Sequence, residues 1–476
     1  MSATLKKSFV AVLFFGLLSI SAFPQKAWTL RECVDYGILN NLTVKQNEIS
    51  SELSRLTYDE DKFSMLPGLN ASAGRNWNYG RTIDPNTNTF TTQQVQSDNL
   101  SLNANVTIFS GFQMQNTLKQ SRLNYYASMT DVQKIKNDIS LNVVSAYLQV
   151  LYAKEQLKVA DARVKQAIES RDRVSKMVTA GTMVQGNLLD AESQLATEEL
   201  SKITADNQLA NARLSLTQLL QLQSPEGFDV MDPAVEVPSG DVTAMSPAQI
   251  YDLALKSLPE VKSADTRILS AEKGVSIARG SFMPRLTAFG SLSSFYSSSA
   301  KQFKTADFQG FLPSGDITSG GDTVLSPYFS TVLENKPYGD QLDENYNKAF
   351  GISLSIPIFN GLNNHRNLTR ARLNLENAKF TAQQTRNQVY QSIQQAHTDA
   401  VAAKKKYDAM QRSIQAFEEA YTYAEKRFNA GLTNSLEFLT ATNNLTRTRV
   451  ELLQAKYDYI FRLKVLDFYA GNPLTF

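Results

Sequence analysis

Residues able to do covalent or metal chemistry are scarce in this sequence. His365 and His397 are its only imidazoles and Cys33 its only thiol, so a Cys/His zinc site lacks ligands and an intramolecular disulfide lacks its second sulfur. The two histidines fall far apart in one stretch without Gly or Pro. Their separation is about 48 Å along a helix, too far for them to act together in one chain. A carboxylate metal site stays open on these grounds. No phosphate-cradling Gly loop, nucleophile elbow or paired-histidine zinc helix occurs, so the expectation is a protein that is not an enzyme and needs no cofactor. Its chemistry must instead lie in charges placed along a surface, and Asp190 and Glu437, each a short way beyond an Ala-Gly pair, are such charges.

The composition narrows the class further. Lys and Arg number 48 against 46 Asp and Glu, a net charge of +2, with 20% charged and 42% hydrophobic residues. A nucleic-acid binder carries a basic excess and a disordered chain few apolar residues, and neither description fits. Gly (22) and Pro (14) are sparse for 476 residues, which favours long uninterrupted helices. Residues 1–25 read as a secretory signal: Lys6 and Lys7, the apolar run from Phe9 to Ile20, then Ser21, Ala22 and Pro24. The run is shorter than the ~20 residues a membrane-spanning helix needs. Cys33 follows Arg31 and Glu32 rather than the small residues of a lipoprotein signal, and is expected to pack on a helix face. No later stretch has the length of a membrane helix, so insertion into a membrane would have to use strands.

The chain repeats itself. Leu66-Pro67-Gly68-Leu69 is echoed by Met283-Pro284-Arg285-Leu286 and Val44-Lys45 by Val261-Lys262, both at an offset of 217 in the numbering. Ile108-Phe109-Ser110-Gly111 is echoed by Ile358-Phe359-Asn360-Gly361 and Ala180-Gly181 by Ala430-Gly431, both at an offset of 250. The second copy is therefore longer, and its insertion falls between its Pro and Phe-x-Gly landmarks. The organisation read from these offsets is a first repeat over 26–224, a Pro-rich connector over 225–246 and a second repeat over 247–476. Each repeat holds a helix, a strand pair (about 66–110 and about 284–359) and a helical hairpin with its tip near 181 or 431.

Before Gly111, Leu100, Leu102, Ala104, Val106 and Ile108 alternate with Ser101, Asn103, Asn105 and Thr107; before Gly361, Phe350, Ile352, Leu354, Ile356 and Ile358 alternate with Gly351, Ser353, Ser355 and Pro357. A period of two is that of a strand, and the lengths match the ~9–11 residues of a tilted membrane strand. Leu100, Leu102, Val106, Ile352, Leu354 and Ile356 are therefore assigned to lipid, with the Asn/Ser/Thr face toward a lumen. A half-buried soluble sheet would alternate in the same way. Four strands cannot close a barrel, so a spanning chain must associate: two copies give eight strands and a filled interior, three give twelve and an aqueous pore. Residues 80–98 and about 297–347, rich in Thr, Ser, Asn, Gln, Gly and Asp, read as exposed loops.

From 112 to 180 and from 362 to 430 there is no Gly or Pro. Each stretch is roughly 100 Å of helix if unbroken. Ile139, Val143, Ala146, Val150, Ala153, Leu157, Ala160, Val164 and Ala167 run at steps of four and three, and adding 250 gives Val389, Ile393, Ala396, Ala400, Ala403, Tyr407, Met410, Ile414 and Phe417. Sustained heptads specify coiled-coil packing. Beyond Gly181 and Gly431 the apolar pattern resumes, which reads as a hairpin turning at each Gly.

The duplicated order, with the tip segments Lys426 to Ala441 and Lys176 to Ala191, resembles the TolC-type outer-membrane efflux proteins over nearly the whole mature chain. The resemblance implies a homotrimer in the outer membrane of a Gram-negative bacterium, its twelve-stranded barrel in outer-membrane lipid continuing into a twelve-helix periplasmic tunnel. It implies docking to a periplasmic adaptor (membrane fusion protein) and, through it, to an inner-membrane transporter. Function on this reading is a passive duct for drug or metal efflux or type I secretion; the alternative is a periplasmic tethering coiled coil without a pore. Gly181, Thr182, Met183, Gly431, Leu432, Thr433 and Asn434 would be the adaptor-docking tips, and Asp190 and Glu437 the periplasmic gate. The chain departs from the family pattern at Thr440, often acidic, at Thr433, often basic, and at Asn187, which lies opposite Glu437.

Overall fold

The computed structural model describes residues 27–83, 88, 90–92, 94–222, 227–231 and 245–472. The signal peptide expected at 1–25 lies outside these residues, as do 225–226 and 232–244 of the connector. The described chain divides into two compact units. One runs to Ser54 and includes Leu123–Ile268 and the chain from Asn377; the other comprises Arg55–Arg122 and Leu269–Glu376. Among the described residues no helix is long and apolar enough to cross a membrane.

Element bounds repeat at the offsets seen in the sequence. Helices α1 (Leu30–Asn40) and α2 (Leu42–Phe63) recur at the 217 offset as α5 (Pro247–Ser257) and α6 (Pro259–Gly280). Helices α3 (Gln113–Thr179) and α4 (Gln185–Leu220) recur at the 250 offset as α8 (Asn363–Asn429) and α9 (Ser435–Tyr469). The duplication reaches the caps. Thr29 and Glu32 form a capping box at α1, and Ser246 and Gln249 form the same box at α5, each satisfying two backbone N–H groups that a helix start leaves without partners.

In the first unit the buried residues form two cores, one built on the first repeat together with Tyr457 and Ile460 of the second, the other wholly on the second repeat. Leu30, Cys33, Val143, Val144, Tyr147, Leu148, Leu151, Leu216, Leu220 and Ile460 bury together in one cluster; Ile250, Ala254, Val389, Ile393, Ala400, Ala403, Tyr459 and Leu466 do so in the other. Burying an aliphatic side chain of this size stabilises by about 1.5–3 kcal/mol. The heptad residues Val143, Val150, Ala153 and their counterparts Ile393, Ala400 and Ala403 are all buried, whereas Tyr407, Met410, Ile414 and Phe417 are half-buried. Around Val143 the helix buries two faces, because the described part of the connector covers the second. Trp28 bridges Val230 in parallel, Tyr147 Oη donates to the carbonyls of Met231 (2.7 Å) and Trp28 (3.2 Å), and Lys154 and Arg213 both pair with Asp229, at 2.8 and 2.9 Å. Cys33 is fully buried; desolvation, with a smaller push from Glu32, raises its thiol pKa to about 12, which makes it unreactive.

The second unit carries an antiparallel sheet in the order β1-β4-β5-β8: β1 (Gly68–Asn78), β4 (Val95–Ser110), β5 (Arg285–Ser297) and β8 (Asn347–Ser355). Its two within-repeat ladders share one register, since Gly68 opposes Asn105 and, at the 217 and 250 offsets, Arg285 opposes Ser355. The β4·β5 ladder joins the repeats, from Ser97 opposite Ser297 to Ser110 opposite Arg285.

Three expectations are corrected here. Residues 297–347 are not a loop: β6 (Lys301–Ile317) and β7 (Thr323–Asn335) pair as a long hairpin, followed by the short helix α7 (Tyr338–Glu344). Register shifts at Phe303/Thr305, Phe308/Gly310 and Pro313/Ile317 throw the two-residue period out of phase, which hides these strands from a periodicity search. Residues 80–98 likewise contain the two-residue strands β2 (Thr82–Ile83) and β3 (Phe90–Thr91) and the start of β4. Ile356, assigned to a lipid-facing strand position, lies just past β8, which ends at Ser355. Pro357 has no N–H for a ladder. Moreover, the counterpart of Ile356, Val106, is held by Ala288 of β5, whereas among the described residues no strand lies beyond β8.

Candidate functional site: hairpin tips and strand faces

Both hairpin tips are Schellman turns of identical form. At the first, the N–H of Gly181 donates to Val178 O (3.0 Å) and that of Thr182 to Met177 O (2.9 Å); at the second, Gly431 donates to Phe428 O (3.0 Å) and Leu432 to Arg427 O (2.9 Å). This closure requires a left-handed residue, and Gly181 and Gly431 supply it with φ of 73° and 70°. Nothing lies within 4 Å of where a Cβ would sit on either, so the need for Gly is conformational rather than steric. Gly181, Thr182, Gly431, Leu432 and Asn434 are exposed, and Met183 and Thr433 half-buried. Leu432, Leu436 and Val184 are each 70% exposed. Sequence reasoning names only the first of these three; apolar type at a turn is the signal that could have found the others.

Glu437 is tied into its own hairpin. It is the third residue of α9, its N–H donates to the Asn434 side chain at 3.0 Å, its carboxylate pairs with Arg427 at 2.8 Å, and Thr433 Oγ1 donates to it. Thr440 Oγ1 turns back to the Leu436 carbonyl at 2.7 Å. Asp190 and Asn187 instead line a cleft of about 360 Å³ between the two hairpins, walled by Met177, Met183, Phe428, Phe438 and Leu439 and by the ends of Arg163, Glu198 and Arg449. Glu437 is not among its walls.

Polar contacts across this cleft hold hairpin to hairpin. Gln166 donates to Tyr421 Oη and Arg173 to Asn429 Oδ1 at 3.0 Å; within the first hairpin Arg163 pairs with the buried Glu198 at 3.3 Å and Gln194 donates to the same carboxylate at 2.7 Å. Desolvation lowers the Arg163 pKa, and Glu198 opposes that shift. Sequence reasoning does not find the contacts between hairpins, because they join positions 255 and 256 apart and fall outside the 250 offset.

The sheet sorts most of its residues by face, apolar on one side and polar on the other. Ladder partners share a face, so Ala71, Leu102, Leu292 and Lys348 lie on one, as do Ala73, Leu100 and Ser294, and as do Val106, Ala288 and Ile352. With Leu69, Phe350 and Leu354 the apolar residues among these form a band, interrupted by Lys348 and Ser294; Leu100, Leu102, Val106, Ile352 and Leu354 all belong to it. The opposite face holds Asn70, Ser72, Ser101, Asn103, Asn105, Ser291 and Ser353. At the far end of the apolar face Arg75 holds Asp98 in a two-pronged pair (2.7 and 2.6 Å), and the rings of Tyr296 and Tyr338 pack together beside it with centroids 4.7 Å apart. Such a rim of aromatic and paired charged residues is what a membrane–water boundary selects. Among the described residues no group of three or more His, Cys, Asp or Glu is placed to hold a metal ion.

An amphipathic sheet with one apolar face, on a chain of duplicated helical hairpins, is the pattern of a channel component. The chain belongs to the outer membrane efflux protein family, which matches it over residues 37–221 and 250–472. It is similar to toxin and drug export protein A of Aggregatibacter actinomycetemcomitans, 25% identical over 90% of this chain and 83% of that one. It is also similar to outer membrane protein TolC of Escherichia coli K12, 21% identical over 93% and 82%. Among solved structures, the CmeC outer membrane channel of Campylobacter jejuni superposes with a TM-score of 0.73 over 94% of this chain and 87% of that one, at 19% identity. The protein is an outer-membrane efflux channel, and the reading as a tethering rod without a pore falls.

Proposed function

We propose that three copies of this chain close a twelve-stranded barrel in outer-membrane lipid, and that their long hairpins form a twelve-helix periplasmic tunnel. The repeats are then 26–224 and 247–476, with 225–246 as an equatorial connector. The tips Gly181–Met183 and Gly431–Asn434 dock to a periplasmic adaptor coupled to an inner-membrane pump, and the duct itself is passive. Drug or metal efflux and type I secretion both fit such walls; the similarity to a toxin and drug export protein favours no narrower cargo. One observation carries the barrel. Among the described residues the sheet ends in two unpaired edges, β1 and β8, and an open edge is not tolerated in hydrocarbon.

The duplication fixes how those edges meet. In the β4·β5 ladder Asn105 opposes Phe289; applying the offsets puts Ser355 of one copy opposite Ser72 of the next. Within one chain these residues are three strand spacings apart across the sheet, ~14 Å, and are also displaced along it, since Ser72 is level with Asn347 rather than Ser355; that is beyond a disulfide's reach, and Cys33 is too deeply buried to compete. Oxidising Ser72→Cys/Ser355→Cys protein in membranes is expected to give a covalent trimer, while Ser72→Cys/Ser353→Cys, one step out of register, links poorly. A dimer as end product would mean an eight-stranded closure, and no product would refute the register.

The gate follows from charge. Replacing Asp190 and Glu437 together by Lys is expected to raise planar-bilayer conductance, because like charges then crowd the tips and Arg427 loses its partner. Conductance equal to that of the parent protein would remove both residues from the gate.

A further inference from the structure

The polar face of the sheet carries one charged residue. On the β1, β4, β5 and β8 positions that share this face, the residues are Asn, Ser, Thr, Gly and Ala apart from Val95, Phe289, Phe295 and Arg285. No Asp or Glu occupies it. Arg285 is exposed at the first position of β5, opposite Ser110 on one side and Ser355 on the other, and its guanidinium donates to Thr107 Oγ1 at 3.2 Å. The counterpart of Arg285 in the first repeat is Gly68, which opposes Asn105 just as Arg285 opposes Ser355. The charge therefore occurs once per chain, not twice, and the duplicated position opposite it adds nothing that cancels it.

We propose that Arg285 sets the charge preference of the strand-lined passage, favouring anionic solutes over cationic ones. This rests on the barrel reading above. With the apolar face in lipid the opposite face lines the lumen, and three copies place three guanidinium groups at one level of an otherwise neutral wall. A ring of Arg in a low-dielectric pore attracts anions and repels cations. Screening limits its reach: the Debye length is about 30 Å at 0.01 M salt and about 3 Å at 1 M, so the preference belongs to dilute electrolyte. An Arg-bearing wall also matches the guanidinium's affinity for carboxylate and phosphate groups.

The full-length protein in a planar bilayer under a KCl gradient tests this through its reversal potential, compared among the parent, Arg285→Gln and Arg285→Glu. Gln keeps a donor for Thr107 and removes only the charge. The chloride-to-potassium permeability ratio is expected to fall severalfold in Gln, to fall again in Glu, and to converge among all three at 1 M salt. Identical ratios at 0.01 M in channels that conduct would overturn the role of Arg285 while leaving the barrel intact. Silence of all three proteins would instead overturn the barrel reading, and the role of Arg285 with it.

Discussion

Gly111→Ala is expected to stop the protein assembling in the membrane, whereas Gly361→Ala, the same change at the duplicated position, leaves most of it assembled. Both glycines turn a strand into a long helix with nearly the same backbone, φ 62° and 64°. Placing a side chain in that left-handed conformation costs about 1–2 kcal/mol at either site. The sites differ in what surrounds them. A Cβ on Gly111 would sit 2.3 Å from the Gly280 carbonyl oxygen and 2.7 Å from Met283 Cβ, while nothing lies within 4 Å of one on Gly361. The contact is mutual, since a Cβ on Gly280 would meet Gly111 O at 2.4 Å. Backbone faces backbone, so no side chain can swing aside, and overpacking adds about 1–3 kcal/mol or more. The total for Gly111→Ala, about 2–5 kcal/mol, is a large part of the ~5–15 kcal/mol by which a folded protein is stable. The measurement is the fraction of each variant recovered as protease-resistant, membrane-inserted protein. Equal loss in both variants would mean that assembly fills the space beside Gly361.

That comparison also marks how far the sequence reaches. The offsets of 217 and 250, taken from landmarks such as Pro67/Pro284 and Gly181/Gly431, recur in helix bounds, capping boxes and ladder register, because each is a local property of a repeated segment. Alternation assigns Leu102 and Leu354 to one face, and their ladder partners place them there. What the sequence hides is non-local or out of phase. The β6–β7 hairpin escapes because bulges break its period, and the end of β8 escapes because the alternation continues to Ile358 although the ladder stops at Ser355. The cleft is invisible for a related reason: Gln166 and Tyr421 meet through packing of non-equivalent positions, which no repeat predicts. Glu437 shows the limit at a single residue. Its acidic type is legible, but its partner Arg427, across the turn, becomes legible only once the Schellman geometry sets the turn's size.

Leu102→Arg and Leu354→Arg are expected to deplete assembled protein in the outer membrane, while Asn103→Arg and Ser353→Arg, their immediate neighbours on the same strands, leave it near the parent level. The alternation makes each pair a controlled comparison, because adjacent strand residues share backbone, depth and neighbours but face opposite ways. Arg near mid-bilayer on a lipid face costs roughly 2–4 kcal/mol, falling toward zero at the boundary, and the proposed trimer would incur it three times. On the polar face the guanidinium meets amides and hydroxyls and stays hydrated, so the cost all but vanishes. The readout is heat-stable oligomer in the outer-membrane fraction. Loss from Asn103→Arg and Ser353→Arg instead would mean that the faces are reversed. Ile356→Arg extends the same comparison past the end of β8. Its counterpart Val106 is a laddered residue opposite Ala288, and the offsets put Ile356 opposite Ala71 of the next copy. If closure of the barrel extends β8 in that register, Ile356→Arg is as damaging as Leu354→Arg; a harmless Ile356→Arg would mean that the strand ends at Ser355 in the assembly as it does in one chain, with Pro357 rather than the missing neighbour as the reason.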